Sequence, residues 1–157
     1  MEIECLKELE LNPCDYIYTH FVNEPISLTE IENPEQLYNN GKPFPKALKE
    51  LLFLAGKFCY VLDYNIFETQ QEMQDYVREL LEEDNILIQR PFFVIDVYNA
   101  GTQFLYIYLD EDDNPAVHEG LYYGDPHSVE FTHLVTGSLS KYISSQIEIV
   151  KKGQNPF

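Results

Sequence analysis

Around residue 92 the hydrophobic pattern changes period, and that change restricts the fold more than any other feature of the chain. Phe92 to Tyr98 is a short continuous apolar run rich in valine, isoleucine and aromatic residues. Asn99-Ala100-Gly101-Thr102 reads as a turn, and Gln103 to Leu109 returns as a second strand. Two such runs about a glycine-containing turn predict a β-hairpin. With Ala100-Gly101 at the tip, Phe93, Ile95 and Val97 are expected to share a face with Phe104, Tyr106 and Tyr108. The other face then holds Asp96, Tyr98 and Gln103 beside Leu105 and Ile107. One buried and one mixed face suit an antiparallel sheet covered on one side by helices. A third strand is expected near Ala116–Tyr123 and a fourth over Val129–Val135.

Upstream, the spacing is helical. Ser27 followed by Glu30, and Asn33-Pro34 followed by Gln36, are helix-start signatures that predict two short helices, the second ending at Asn39-Asn40-Gly41. Pro45 suits a first helical position, Phe44, Leu48, Leu51, Leu52 and Ala55 recur at helical spacing, and Gly56 is placed to cap the end. Thr69-Gln70-Gln71-Glu72 is a capping box opening a helix over about 70–84, with Met73, Tyr76, Val77, Leu80 and Leu81 as one stripe. Its opposite face and end carry Glu79, Glu82, Glu83 and Asp84. Phe58 to Tyr64 reads as a strand, and Tyr16 to Val22 fits an edge strand. Leu139, Tyr142, Ile143, Ile147 and Val150 predict a closing helix, followed by a frayed tail from Gly153. The sum is one α+β domain, its antiparallel-rich sheet of about five or six strands packed with helices. Residues 1–26 read as an N-terminal extension packed on the domain, 27–150 as the domain, and 151–157 as a C-terminal tail.

Charge narrows the partners. The formal net charge is −17. Between Arg90 and Lys141 there is no lysine or arginine, but there are eight acids: Asp96, Asp110, Glu111, Asp112, Asp113, Glu119, Asp125 and Glu130. A surface of this sign repels nucleic acid and anionic membrane and attracts basic proteins. It also favours a monomer when free. Cys5, Cys14 and Cys59 are odd in number and widely spaced, which suggests reduced thiols and neither a disulfide framework nor a zinc site. Met1-Glu2-Ile3-Glu4 lacks the basic and apolar regions of a signal peptide, and no apolar run is long enough for a membrane span. A cytoplasmic protein is expected.

Candidate chemistry is sparse. Asp110, Asp112 and Asn114 fit the first ligand positions of a calcium loop, but Pro115 stands where its glycine turn is needed and Leu121 where the bidentate glutamate belongs. An acidic hairpin turn is the reading, with no metal and no cofactor. His20, His118, His127 and His133 lack metalloenzyme spacing, and no nucleophile motif or phosphate loop is present. An enzyme would need a cleft gathering groups such as His118, Glu119 and Asp96. Tyrosines in an acidic surround make a good protein-recognition surface, and Tyr98, Tyr122 and Tyr123 are the surface candidates.

Two stretches resemble a known family. Glu35 to Gly56 (EQLYNNGKPFPKALKELLFLAG) is similar to the helix, Gly/Pro connection and second helix that open the SUKH (Smi/Knr-like) superfamily, with Phe44-Pro45 at the family's "lP" position. Phe93 to Tyr108, with Asp112-Asp113-Asn114-Pro115-Ala116-Val117, resembles its central hairpin and acidic turn, and Gly137-Ser138-Leu139 through Ile147 its terminal helix. The chain departs from the family in having no tryptophan, only Ala55-Gly56 where glycines often follow the second helix, and a long acidic helix after the first strand. The resemblance implies a non-catalytic protein: an immunity protein that neutralises a cognate polymorphic-toxin domain, or a regulatory interaction scaffold. The expected contact set is Asp96, Tyr98, Asp110, Glu111, Asp112, Asp113, Glu119, Tyr122, Tyr123 and Asp125.

Overall fold

Four strands run as an antiparallel meander in the order β1-β2-β3-β4: β1 Phe92–Tyr98, β2 Gln103–Tyr108, β3 Val117–Leu121 and β4 Thr132–Thr136. The computed structural model describes residues 1–17, 20–64, 66–99, 101–121 and 132–156, which form a single α+β domain. Ala100, Tyr122–Tyr123 and 129–131, parts of the expected turn and strands, lie outside the described residues. Among those described, the sheet has four strands, not five or six. Residues 18 and 19 of the expected edge strand lie outside the described residues; of the rest, Val22 forms an isolated bridge with Cys14, and Phe58 one with Glu24. Phe58 to Tyr64 falls short of a strand because its one approach to β1 is interrupted. Val97 N–H donates to the Asp63 carbonyl at 2.9 Å, but Asp63 N–H is taken by the Asp96 side chain at 3.1 Å.

A β-bulge revises the expected faces. Val94 pairs with Tyr106 and Asp96 with Leu105, so Ile95 is the extra residue. The slip puts Phe93 and Ile95 with Leu105 and Ile107, while Val97 joins Phe104 and Tyr106 on the other side. Both faces of β1 and β2 are buried, which corrects the one-sided sheet, while β4 is largely exposed. The hairpin turn requires its glycine: Gly101 has φ +83°, and a Cβ there would collide with the Tyr76 hydroxyl.

The helices are α1 Lys7–Leu11, α2 Leu28–Tyr38, α3 Lys46–Ala55, α4 Gln70–Glu83 and α5 Leu139–Lys151. Ser27 and Glu30 form a complete capping box, and α2 continues through Pro34 as one helix, not two. Proline removes one amide from the ladder there, and the carbonyl it leaves belongs to Glu30, an exposed residue. Pro45 is the N-cap of α3, one place earlier than expected. Thr69 caps α4 by accepting the Glu72 amide, but Glu72 reaches back to the Glu68 amide at 2.9 Å, so the box is half formed. Gln154 is held against the helix end and not frayed, since its N–H donates to the Ile149 carbonyl at 3.1 Å.

Helices α3 and α5 cover one face of the sheet and α4 the other. The buried Glu50 of α3 ties down the N-terminal segment, accepting the amides of Glu4, Cys5 and Leu6 at 2.8 Å each. Ile3, Leu6 and Leu9 thereby enter the main core.

Side chains also close the edge at β1. The Gln74 amide donates to the Val94 carbonyl at 2.7 Å and accepts the Val94 N–H at 2.8 Å, and Arg78 donates to the Phe92 carbonyl at 2.8 Å. Gln74 thus substitutes for a fifth strand at one position. Gln74→Ala leaves both Val94 groups buried without partners and should lower unfolding free energy by about 2–4 kcal/mol, read by urea denaturation.

Candidate interaction surface: the acidic turn

After β2 the chain turns through Asp110, Glu111, Asp112 and Asp113, and this turn is built rigidly. Continuing the hairpin register beyond the Phe92–Tyr108 pair sets residue 90 opposite residue 110. Arg90 accordingly binds Asp110 through Nη2 at 2.6 Å and Nε at 3.0 Å, and reaches Glu111 at 3.3 Å. Its guanidinium lies 3.8 Å from the centre of the Tyr108 ring. The hydrogen bond from Arg90 holds the Asp110 carboxyl below the usual range. Glu111 also accepts the Ala116 amide at 3.0 Å, and Asp112 the Asn114 amide at 2.9 Å.

Two helix N-termini fix the turn from behind. The Asp113 carbonyl accepts Ala47 N–H of α3 at 2.8 Å, and the Pro115 carbonyl accepts Leu139 N–H of α5 at 2.7 Å. Asn114 clasps Ser140, donating to its hydroxyl at 2.7 Å and accepting its amide at 3.0 Å. Negative charge at such ends is favoured by the helix dipoles. Asp112 and Asp113 are exposed, and among the described residues neither forms an ion pair with lysine or arginine.

The other expected contact residues divide. Glu119 accepts hydrogen bonds from the Tyr98 hydroxyl and, at 2.7 Å, from His133 Nε2, forming a separate polar group further along β3. Burial first, and then Glu119, push the Tyr98 hydroxyl up. Tyr122, Tyr123 and Asp125 lie outside the described residues. Asp96 is not a surface residue at all. It is 3% exposed, because the face it shares with Leu105 is covered by α3 and α5.

No cleft unites His118, Glu119 and Asp96. His118 stacks on Tyr106, with ring centres 5.4 Å apart, while its neighbour Glu119 points to the opposite face toward Tyr98. The calcium-like pattern is likewise committed elsewhere: Asp110 to Arg90, Asp112 to a backbone amide and Asn114 to Ser140. Among the described residues no group of three or more His, Cys, Asp or Glu is arranged to hold a metal ion. Sequence reasoning missed Arg90 and Asn114, although the hairpin register carried the signal for the first.

Burial pushes the Asp96 carboxyl well above the ordinary carboxylate range, offset in part by the amides of Asp63 and Val97. A carboxyl whose folded pKa is raised contributes fully below its unfolded value of about 4 and loses stability as pH rises toward the folded value. Asp96→Asn keeps an acceptor for the Asp63 amide without the charge. It should therefore raise the melting temperature at pH 8 and change it little at pH 4. The gain should be about 1.4 kcal/mol per unit by which the folded pKa exceeds the unfolded one. Equal shifts at both pH values would show that ionisation of Asp96 does not limit stability.

Among the described residues no helix is long and apolar enough to cross a membrane. Compared with family models, curated proteins and solved structures, the chain matches none.

Proposed function

We propose that this chain is an immunity-type protein of the Smi/Knr-like superfamily, which binds a cognate basic toxin domain and neutralises it by occlusion. The observation that carries the reading is the turn at Asp110–Asp113. Its backbone is held in place by two helix N-termini and by Asn114, Arg90 holds the carboxylates of Asp110 and Glu111, and Asp112 and Asp113 face solvent. A turn whose backbone is already fixed loses little freedom on meeting a partner, so the charge it carries serves recognition directly. The helix, Phe44-Pro45 connection, second helix and acidic turn of the resemblance also come together here, because Ala47 at the start of α3 bonds Asp113.

A net charge of −17 steers a basic partner over distances comparable with the screening length, about 10 Å at moderate salt. Arg90 tempers that field by pairing two of the turn's acids.

The direct test is rescue. The C-terminal domain encoded by the adjacent large reading frame is expressed in a test bacterium with and without this protein, and co-expression alone should abolish toxicity. Toxicity that persists beside abundant folded protein would remove that pairing and favour a regulatory scaffold. With the complex in hand, Asp112→Asn with Asp113→Asn should slow association about tenfold at low salt and flatten its salt dependence. Arg90→Gln should act in the opposite direction, because it releases the charge of Asp110 and Glu111. Stopped-flow association rates at several salt concentrations decide between steering and its absence.

A further inference from the structure

Away from the acidic turn, beyond the C-terminal ends of α3 and α5, the domain holds a cavity of about 530 Å³. That size lies within the range of small-ligand pockets, roughly 300–1,000 Å³. Three stretches outside the sheet wall it: the segment around Asp15 and Phe21, the connection from Lys57 to Phe67, and the C-terminal residues from Val150 to Pro156.

The lining has an unusual division of labour. Phe58, Tyr60, Tyr64 and Phe67 supply aromatic surface. The Tyr60 hydroxyl is donated to the Asn12 carbonyl at 3.0 Å and the Tyr64 hydroxyl to the Ala55 carbonyl at 2.9 Å. The tyrosines therefore offer the cavity ring carbon, and polar recognition passes to the charged lining residues, Asp15, Asp63 and Lys57. Lys57 is paired with Glu24 at 2.8 Å, which offsets its charge. Asp15 accepts the Ile17 backbone N–H at 2.9 Å.

α3 terminates at Ala55, shortly before the lining residue Lys57, and Val150 in the last turn of α5 lines the wall. The Ala55 carbonyl is met by Tyr64, and those of Ile149 and Val150 by Gln154 and Gly153, so the helix ends are satisfied within the chain. Aromatic faces and carboxylates share one complement, a cation carried on an apolar stem.

We propose that this cavity is a binding site for an arginine side chain presented by a partner protein. The planar guanidinium stacks on aromatic rings and pairs with carboxylates, which a compact ammonium does less well. The methylene stem meets the aromatic wall, and the rim suits a protein partner. Phe21 on the wall is 56% exposed, and Tyr16 and Ile66, next in sequence to lining residues, are exposed as well. This goes beyond the immunity reading, since the pocket would serve any basic partner.

The test uses the intact protein and a probe that needs no toxin. Nα-acetyl-arginine-N-methylamide is titrated while the aromatic carbon–proton resonances of Phe21, Phe58, Tyr60, Tyr64 and Phe67 are followed by NMR. The matching citrulline compound, of the same shape without the charge, is the control. The arginine probe should shift these rings with a Kd on the order of millimolar, and citrulline should bind at least fivefold more weakly. Asp63→Asn should weaken the arginine probe about fivefold. Phe21→Leu, at a half-exposed position that folding tolerates, should weaken it about threefold. Equal binding of the two probes would overturn the proposal in favour of an apolar occupant. Shifts confined to residues outside the cavity, or affinity unchanged in both variants, would overturn it outright. Because no toxin enters the titration, its failure leaves the rescue result standing, and failed rescue leaves the pocket standing.

Discussion

The polarity of α3 and α5 organises this domain. Both begin against the acidic turn, where their first amides bond Asp113 and Pro115, and both end beside the cavity. Their 10 and 13 residues span about 15 and 20 Å, so one side of the molecule has two poles separated by that length. At one pole the helix N-termini favour acids, and the acids of the turn are found there. At the other, the last helix carbonyls are met by Tyr64, Gly153 and Gln154, and aromatic rings, Asp15, Asp63 and Lys57 line the space. The acids of the turn are thereby placed where the backbone stabilises them.

Buried polar side chains do structural work that a longer sheet would otherwise do. Gln74 supplies the two hydrogen bonds a neighbouring strand would give Val94. Asp96 takes the Asp63 amide, and Glu50 collects three consecutive amides from a segment with little regular structure. Each group satisfies backbone that would otherwise be stranded away from water. Asp96 is the strained member, since burial opposes its ionisation more than its two amides favour it.

Local signals made the helices legible in the sequence. Ser27 with Glu30, Thr69 with Glu72, and the stripes of α3, α4 and α5 each declare themselves within a few residues. The two strands of the hairpin were equally legible, although not their register. Less legible was anything decided by distant residues. The Ile95 bulge follows from how both faces pack, and a simple alternation of residues hides it; Asp96 was placed on the surface because helices were expected on one side of the sheet only. Phe58 to Tyr64 has a strand's composition but meets an edge already occupied by α4 and the Asp96 carboxyl. Within the candidate surface, Asp110 to Asp113 stood out as a charge run, whereas Arg90 required the register and Asn114 required the position of α5. The cavity has no motif at all, because its walls come from segments far apart in the chain.

That last arrangement orders the assembly of the molecule in time. The meander joins strands that are consecutive in sequence, and such contacts close at small entropic cost. The wall bearing Asp15 and Phe21 depends instead on long closures, Glu50 to residues 44–46 positions earlier and Tyr60 to Asn12. The N-terminal segment is therefore expected to join after the meander. An occupant of the cavity would touch that segment together with residues 150–156, and binding there would oppose their release from the domain.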